Sequence, residues 1–184
     1  MLEIKLNKTA LRLDFSFFAV MSLFFFFDKT GIGLLTLCAV SCHELGHLIV
    51  ITAVGARADN ITLYGAGIRI SASTQQLDAA AKAAVLSAGC VTNLTLCIIA
   101  YLLNAPLFSA INAVMCLFNL LPFGELDGAL LARLALGDRP KILCTLRVVA
   151  AALTAAALIL LNGRISITFI ITCAYILMLS QKTR

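Results

Sequence analysis

The sequence predicts an all-α polytopic membrane protein of about six transmembrane helices, with a short membrane-associated β segment between the second and third spans. Two observations set the class. Of 184 residues, 61% are hydrophobic and only 12% are charged, and the mean hydropathy is +1.02. A soluble domain is nearer half apolar and a quarter charged, so this chain has more apolar surface than one water-soluble core could hide. The same balance excludes a disordered tail, a collagen-like chain and a soluble nucleic-acid binder. The apolar residues are also gathered into runs of spanning length, separated by short polar connections.

Taken in order, residues 1–14 (MLEIKLNKTALRLD) are mixed and basic. The run FSFFAVMSLFFFF, 15–27, is short for a span and reaches spanning length only by borrowing Leu11 and Leu13. A cleavable signal is the alternative, but Asp28, Lys29 and Thr30 follow instead of a small-residue cleavage site, so an uncleaved first span is expected. The second span is 31–54. Residues 55–78 are the extended polar stretch, and NITLYGAGIRISAS within it alternates and is rich in β-branched residues. One or two short strands are expected there, with a hairpin around Gly65-Ala66-Gly67. Further spans are expected at about 79–103, 106–121 (ended by Pro122), 142–161 and 165–180. No repeat or separate soluble domain is visible, so 1–184 reads as one membrane-embedded domain with a core at about 10–135.

Positive charge orients this map. With the N-terminus in the cytoplasm, of the 14 Lys and Arg only Lys29 and Arg164 fall on the opposite side. The positive-inside rule then puts both termini in the cytoplasm and favours an even number of crossings. The seven cysteines are an odd number without a CxxC pair, and most sit in apolar runs. They read as small packing residues, not as a disulfide framework or a zinc knuckle.

Ionisable residues inside a span are expensive and need a reason. The second span holds His43, Glu44 and His47, an H-E-x-x-H pattern, in a chain with only two histidines. Histidines at i and i+4 project from one helical face and can take adjacent positions around one zinc ion. The glutamate beside the first is then placed to act on a water at the metal. A catalytic zinc commonly has three protein ligands and one open position. With no third histidine, the remaining ligand must be Asp, Glu or Cys. The best candidate is Asp127, in the segment NLLPFGELDG from Asn119 to Gly128, where proline and glycine break the helix. The rivals are Glu125, Cys42 and Cys116. Helical rise puts His43 and His47 roughly 10–17 Å below the cytoplasmic surface, and Asp127 falls at a comparable depth.

With these motifs in place, the chain resembles the site-2 protease family of intramembrane zinc metalloproteases. His43-Glu44-Leu45-Gly46-His47 matches the family's metal-binding motif, and Asn119 to Gly128 matches its second signature, which supplies an aspartate ligand. Ser87-Ala88-Gly89-x-x-x-Asn93 is similar to a weaker family pattern, with Cys90 where proline is usual. The six-span plan looks most like the bacterial sporulation branch, which releases a membrane-tethered pro-sigma factor. Neither an inserted PDZ domain nor the branch's C-terminal nucleotide-sensing domain is expected.

The resemblance implies one zinc per chain held by His43, His47 and Asp127, with Glu44 as general base. It implies that Asn119 supports bound substrate or the oxyanion, and that a strand near Gly65 and Gly67 receives an unwound substrate segment by β-augmentation. The expected substrate is a membrane-tethered protein, the expected location a bacterial cell membrane, and the expected regulator an inhibitory membrane partner. No nucleic-acid partner is expected. A metal or ion transporter, an inactive zinc-binding scaffold and a membrane zinc protease with a glutamate ligand are the competing readings. Asn93 reads as either functional or an interhelical hydrogen bond, and Glu125 as solvated.

Overall fold

A computed structural model describes residues 2–6, 9–64, 67–73, 76–137, 139 and 142–151. The sixth expected span, the second half of the fifth and Gly65 lie outside the described residues. The chain forms two compact units, Met1–Phe118 and Asn119–Arg184.

The first unit begins with β1 (Leu2–Leu6) and β2 (Thr9–Leu13), followed by α1 (Phe15–Phe27) and α2 (Ile32–Ala53). Then come β3 (Ala58–Tyr64), β4 (Gly67–Ala72), α3 (Ala79–Leu102) and α4 (Pro106–Asn119). The strands form one sheet in the order β1-β2-β3-β4. β1 and β2 are antiparallel, with Glu3 opposite Arg12, and their side chains pair at 3.4 Å. β2 runs parallel to β3, with Leu11 beside Ile61, so α1 and α2 form the crossover between them. β3 and β4 form the expected hairpin, with an irregularity between Ala58 and Asn60.

Two expectations are corrected here. The β segment is not confined to the loop between the second and third spans, because residues 2–13 supply two further strands. Leu11 and Leu13 are therefore sheet residues and cannot lengthen the first helix. α1 has 13 residues, about 20 Å at 1.5 Å per residue against a hydrocarbon core of about 30 Å. The overlooked signal is alternation, since Leu2, Ile4 and Leu6 interleave with Glu3 and Lys5.

Among the described residues, α2 with 22 residues and α3 with 24 are long and apolar enough to cross a bilayer. α4 is apolar but has only 14 residues. Only 28% of the apolar window of α2 and 33% of that of α3 is buried, which argues against core helices of a soluble protein. The burial pattern is inverted as well. On α3, Val91, Leu94, Ile98 and Leu102 are each more than half exposed, while Ala88, Gly89, Cys90 and Asn93 are buried. α4 exposes Val114 and Leu117 and buries Ser109, Asn112 and Cys116. Large apolar groups outside and small or polar groups inside is the arrangement that lipid favours. These are features of a membrane protein.

Local chemistry sets the helix ends. Asp78 caps α3, its side chain accepting from the Ala81 amide at 2.7 Å. Asp28 accepts from the Gly33 amide at 2.7 Å and from the Thr30 amide at 3.1 Å, which closes the entry to α2. Burial raises the Asp28 carboxyl, but the hydrogen bonds from Thr30 and Gly33 outweigh it and hold the group below its usual value. The six described cysteines are all free.

The second unit contains a loop, α5 (Asp127–Leu136) and a helix α6 (Ile142–Ala151). Pro122, Phe123 and Gly124 are buried, and Gly124 has a left-handed φ of 58°. The irregular loop leaves carbonyls without helical partners, and two arginines meet them. Arg133 donates to the Gly124 carbonyl at 3.4 Å, and Arg147 donates from Nε to that of Pro122 at 3.2 Å.

Candidate metal centre

The site begins with the packing of α2 on α3. A Cβ built on Gly46 would collide with the Thr92 side chain and crowd the Ala88 carbonyl at 3.0 Å. Small residues here bring the two backbones close together. On the same face of α2, His43 is 4% exposed, while Leu45 and Ile49 point outward. Glu44 is half-buried.

The two imidazoles converge. Their Nε2 atoms are 3.2 Å apart and the rings stand at 74°. Two nitrogens each about 2.05 Å from one tetrahedral zinc would be separated by about 3.3–3.4 Å, so the pair matches the geometry of adjacent ligands. His47 Nδ1 lies 2.7 Å from the Val85 carbonyl oxygen. A carbonyl only accepts, so Nδ1 carries the hydrogen and the neutral ring presents its lone pair at Nε2. This is the backing that a metal-bound imidazole commonly receives.

Gly89 completes this wall. A Cβ there would strike Nε2 of both His43 and His47. The backbone of α3 therefore lies against the two donor atoms, and glycine is the residue that permits it. The roles of Val85 and Gly89 come from the fold. The run of small residues Ser87-Ala88-Gly89 in an apolar span was the available signal for the second, and the Val85 carbonyl left none.

In the second unit, Asp127 is the first residue of α5, where the helix dipole favours a carboxylate. Gly128 beside it has a specific reason. Its Cβ would run into the backbone of Leu120, so the loop before α5 folds back onto the helix start. Asn119 ends α4 and is half-buried, and Glu125 is exposed. Gly67 is the first residue of β4.

No family model matches the sequence, and no curated protein matches it. The fold is nonetheless similar to that of a solved protein. The chain superposes on the solved structure of the site-2 protease from Methanocaldococcus jannaschii with a TM-score of 0.64. The match covers 98% of this chain and 94% of that one, at 18% sequence identity.

Proposed function

We propose that the chain is an intramembrane zinc metalloprotease that hydrolyses a peptide bond in or near a transmembrane segment of a membrane-tethered protein. The observation that carries this reading is the convergent imidazole pair, with Nε2 atoms 3.2 Å apart and His47 fixed from behind by the Val85 carbonyl. In this reading His43, His47 and Asp127 would each give one donor atom to one zinc ion. Bound there, zinc would supply a Lewis acid that activates water and polarises the scissile carbonyl.

The remaining chemistry belongs to the chain. Glu44 takes the proton from the attacking water and passes it to the leaving amine. Asn119 donates to the substrate carbonyl as negative charge develops on it. A helical substrate must unwind before cleavage. The β3–β4 hairpin, with Gly67 at the start of β4, receives the extended segment by strand addition. The charge distribution supports cytoplasmic termini and an even number of crossings. A bacterial cell membrane, a pro-sigma or anti-sigma factor as substrate, and an inhibitory membrane partner complete the proposal through the resemblance to the sporulation branch.

The test is metal stoichiometry of the detergent-purified protein. One zinc per chain is expected in the wild type and in Glu44→Gln, with zinc lost or weakened in Asp127→Ala. Wild type should cleave single-span reporter proteins that Glu44→Gln leaves intact. A folded wild type that takes up no zinc on reconstitution refutes the proposal.

A further inference from the structure

The seam between α3 and α4 contains a polar layer that the proposed chemistry does not use. Residues 90, 93 and 97 of α3 and residues 109, 112 and 116 of α4 are spaced three and four apart, so each set lies on one helical face. The two faces meet at both ends of these sets. The Cys90 thiol points to the Cys116 carbonyl at 3.9 Å. The Ser109 hydroxyl donates to the Cys97 carbonyl at 2.8 Å, with Cys97 Sγ 3.4 Å from Ser109 Oγ. Between these contacts, on antiparallel helices, Asn93 and Asn112 fall at one level.

Both asparagines are 0% exposed and are the largest fully buried side chains among the described residues. Asn112 donates from Nδ2 to the Phe108 carbonyl at 2.8 Å. Its Oδ1, together with Nδ2 and Oδ1 of Asn93, has no hydrogen-bond partner among the described residues. Exchanging O and N of the Asn93 amide does not help, because one donor and one acceptor remain either way. Leaving such groups unmatched at membrane depth is costly.

We infer that this level of the α3–α4 seam is a binding site for one internal water molecule shared by Asn93 and Asn112. The donor set selects the ligand. A metal cation would engage the two oxygens and be repelled by the Asn93 amide hydrogens. An anion would engage the amide hydrogens and be repelled by the oxygens. Water alone among small ligands accepts from Nδ2 and donates to both Oδ1 atoms. The site lies one helical turn along α3 from Gly89, which meets both imidazoles. The inference rests on the asparagines alone and stands whether or not the imidazoles bind zinc.

The test uses the full chain in detergent and X-ray hydroxyl-radical footprinting read by mass spectrometry. Radicals form from water in place, so a bound water labels buried neighbours. Cys90 and Cys116, only 4% and 7% exposed, should be oxidised in the wild type. That labelling should be lost in Asn93→Leu/Asn112→Leu, while labelling of the exposed Cys38 is unchanged.

Thermal unfolding of the two single variants and the double variant forms the second arm. Each single leucine strands the opposite amide, so each should lower Tm, and the double variant should recover part of that loss. Additive losses overturn the shared site. Unlabelled Cys90 and Cys116 in the wild type overturn the water, even with non-additive losses, since a direct amide–amide bond would then explain the coupling. If the single variants do not fold, the wild-type labelling decides alone.

Discussion

Replacing Gly89 by alanine tests the proposed metal centre most directly. The added methyl group would meet Nε2 of His43 and of His47 at closer than van der Waals contact. Alanine favours helix by about 0.5–1 kcal/mol over glycine, whereas forcing a methyl group into a packed core costs about 1–3 kcal/mol. The net stability loss should therefore be about 0–2.5 kcal/mol, at most a modest fall in Tm. The effect on the metal should be larger in kind. The methyl group displaces the two donor atoms whose 3.2 Å separation suits zinc, and disturbing the support of a zinc ligand typically costs 10–100-fold in affinity.

The control is Gly46→Ala, whose methyl group meets Thr92 and the Ala88 carbonyl but neither imidazole. It should lower stability comparably and leave zinc affinity close to wild type. The assay is chelator competition for zinc on both variants, with thermal unfolding alongside. Wild-type zinc affinity in Gly89→Ala, or an equal loss in both variants, would refute the argument that α3 shapes the site through Gly89.

Two further outcomes are expected. Gly128→Ala puts a methyl group against the backbone of Leu120, which cannot rotate away as a side chain could; it should cost about 1–3 kcal/mol or more and be read as a lower Tm in detergent. Asp28 has a carboxyl pKa held below 3.8 in the folded chain, so its contribution is complete above that value and disappears as pH falls through the lower, folded value. Asp28→Asn should remove this acid-side dependence, and wild-type and variant unfolding curves that remain parallel from pH 5 to below pH 3 would contradict it.

Much was legible along the chain because it depends on neighbours in sequence. Apolar runs located α2 and α3 to within a residue or two, since spanning length and hydropathy are local properties. The histidine spacing placed two imidazoles on one face of α2 because helical periodicity alone fixes that. Proline and glycine announced the helix break before Asp127 for the same reason. Strands β1 and β2 were harder to read. Leu11 and Leu13 fit an apolar run and an alternating strand equally well, and only pairing with Ile61 and Leu63 chooses between them.

The sequence by itself thus determined the membrane character, the two longest helices and the candidate metal-binding side chains. The tertiary structure decided which groups surround those side chains. Val85 is 38 residues from His47, yet its carbonyl sets the imidazole tautomer. Gly89 owes its importance to two rings on another helix, and the Asn93 amide and Asn112 Oδ1 are cut off from solvent only by the packing of the folded chain. Such contacts follow from how helix backbones approach and rotate against each other. That geometry is fixed by the sum of many packing contacts, and no short stretch of sequence encodes it.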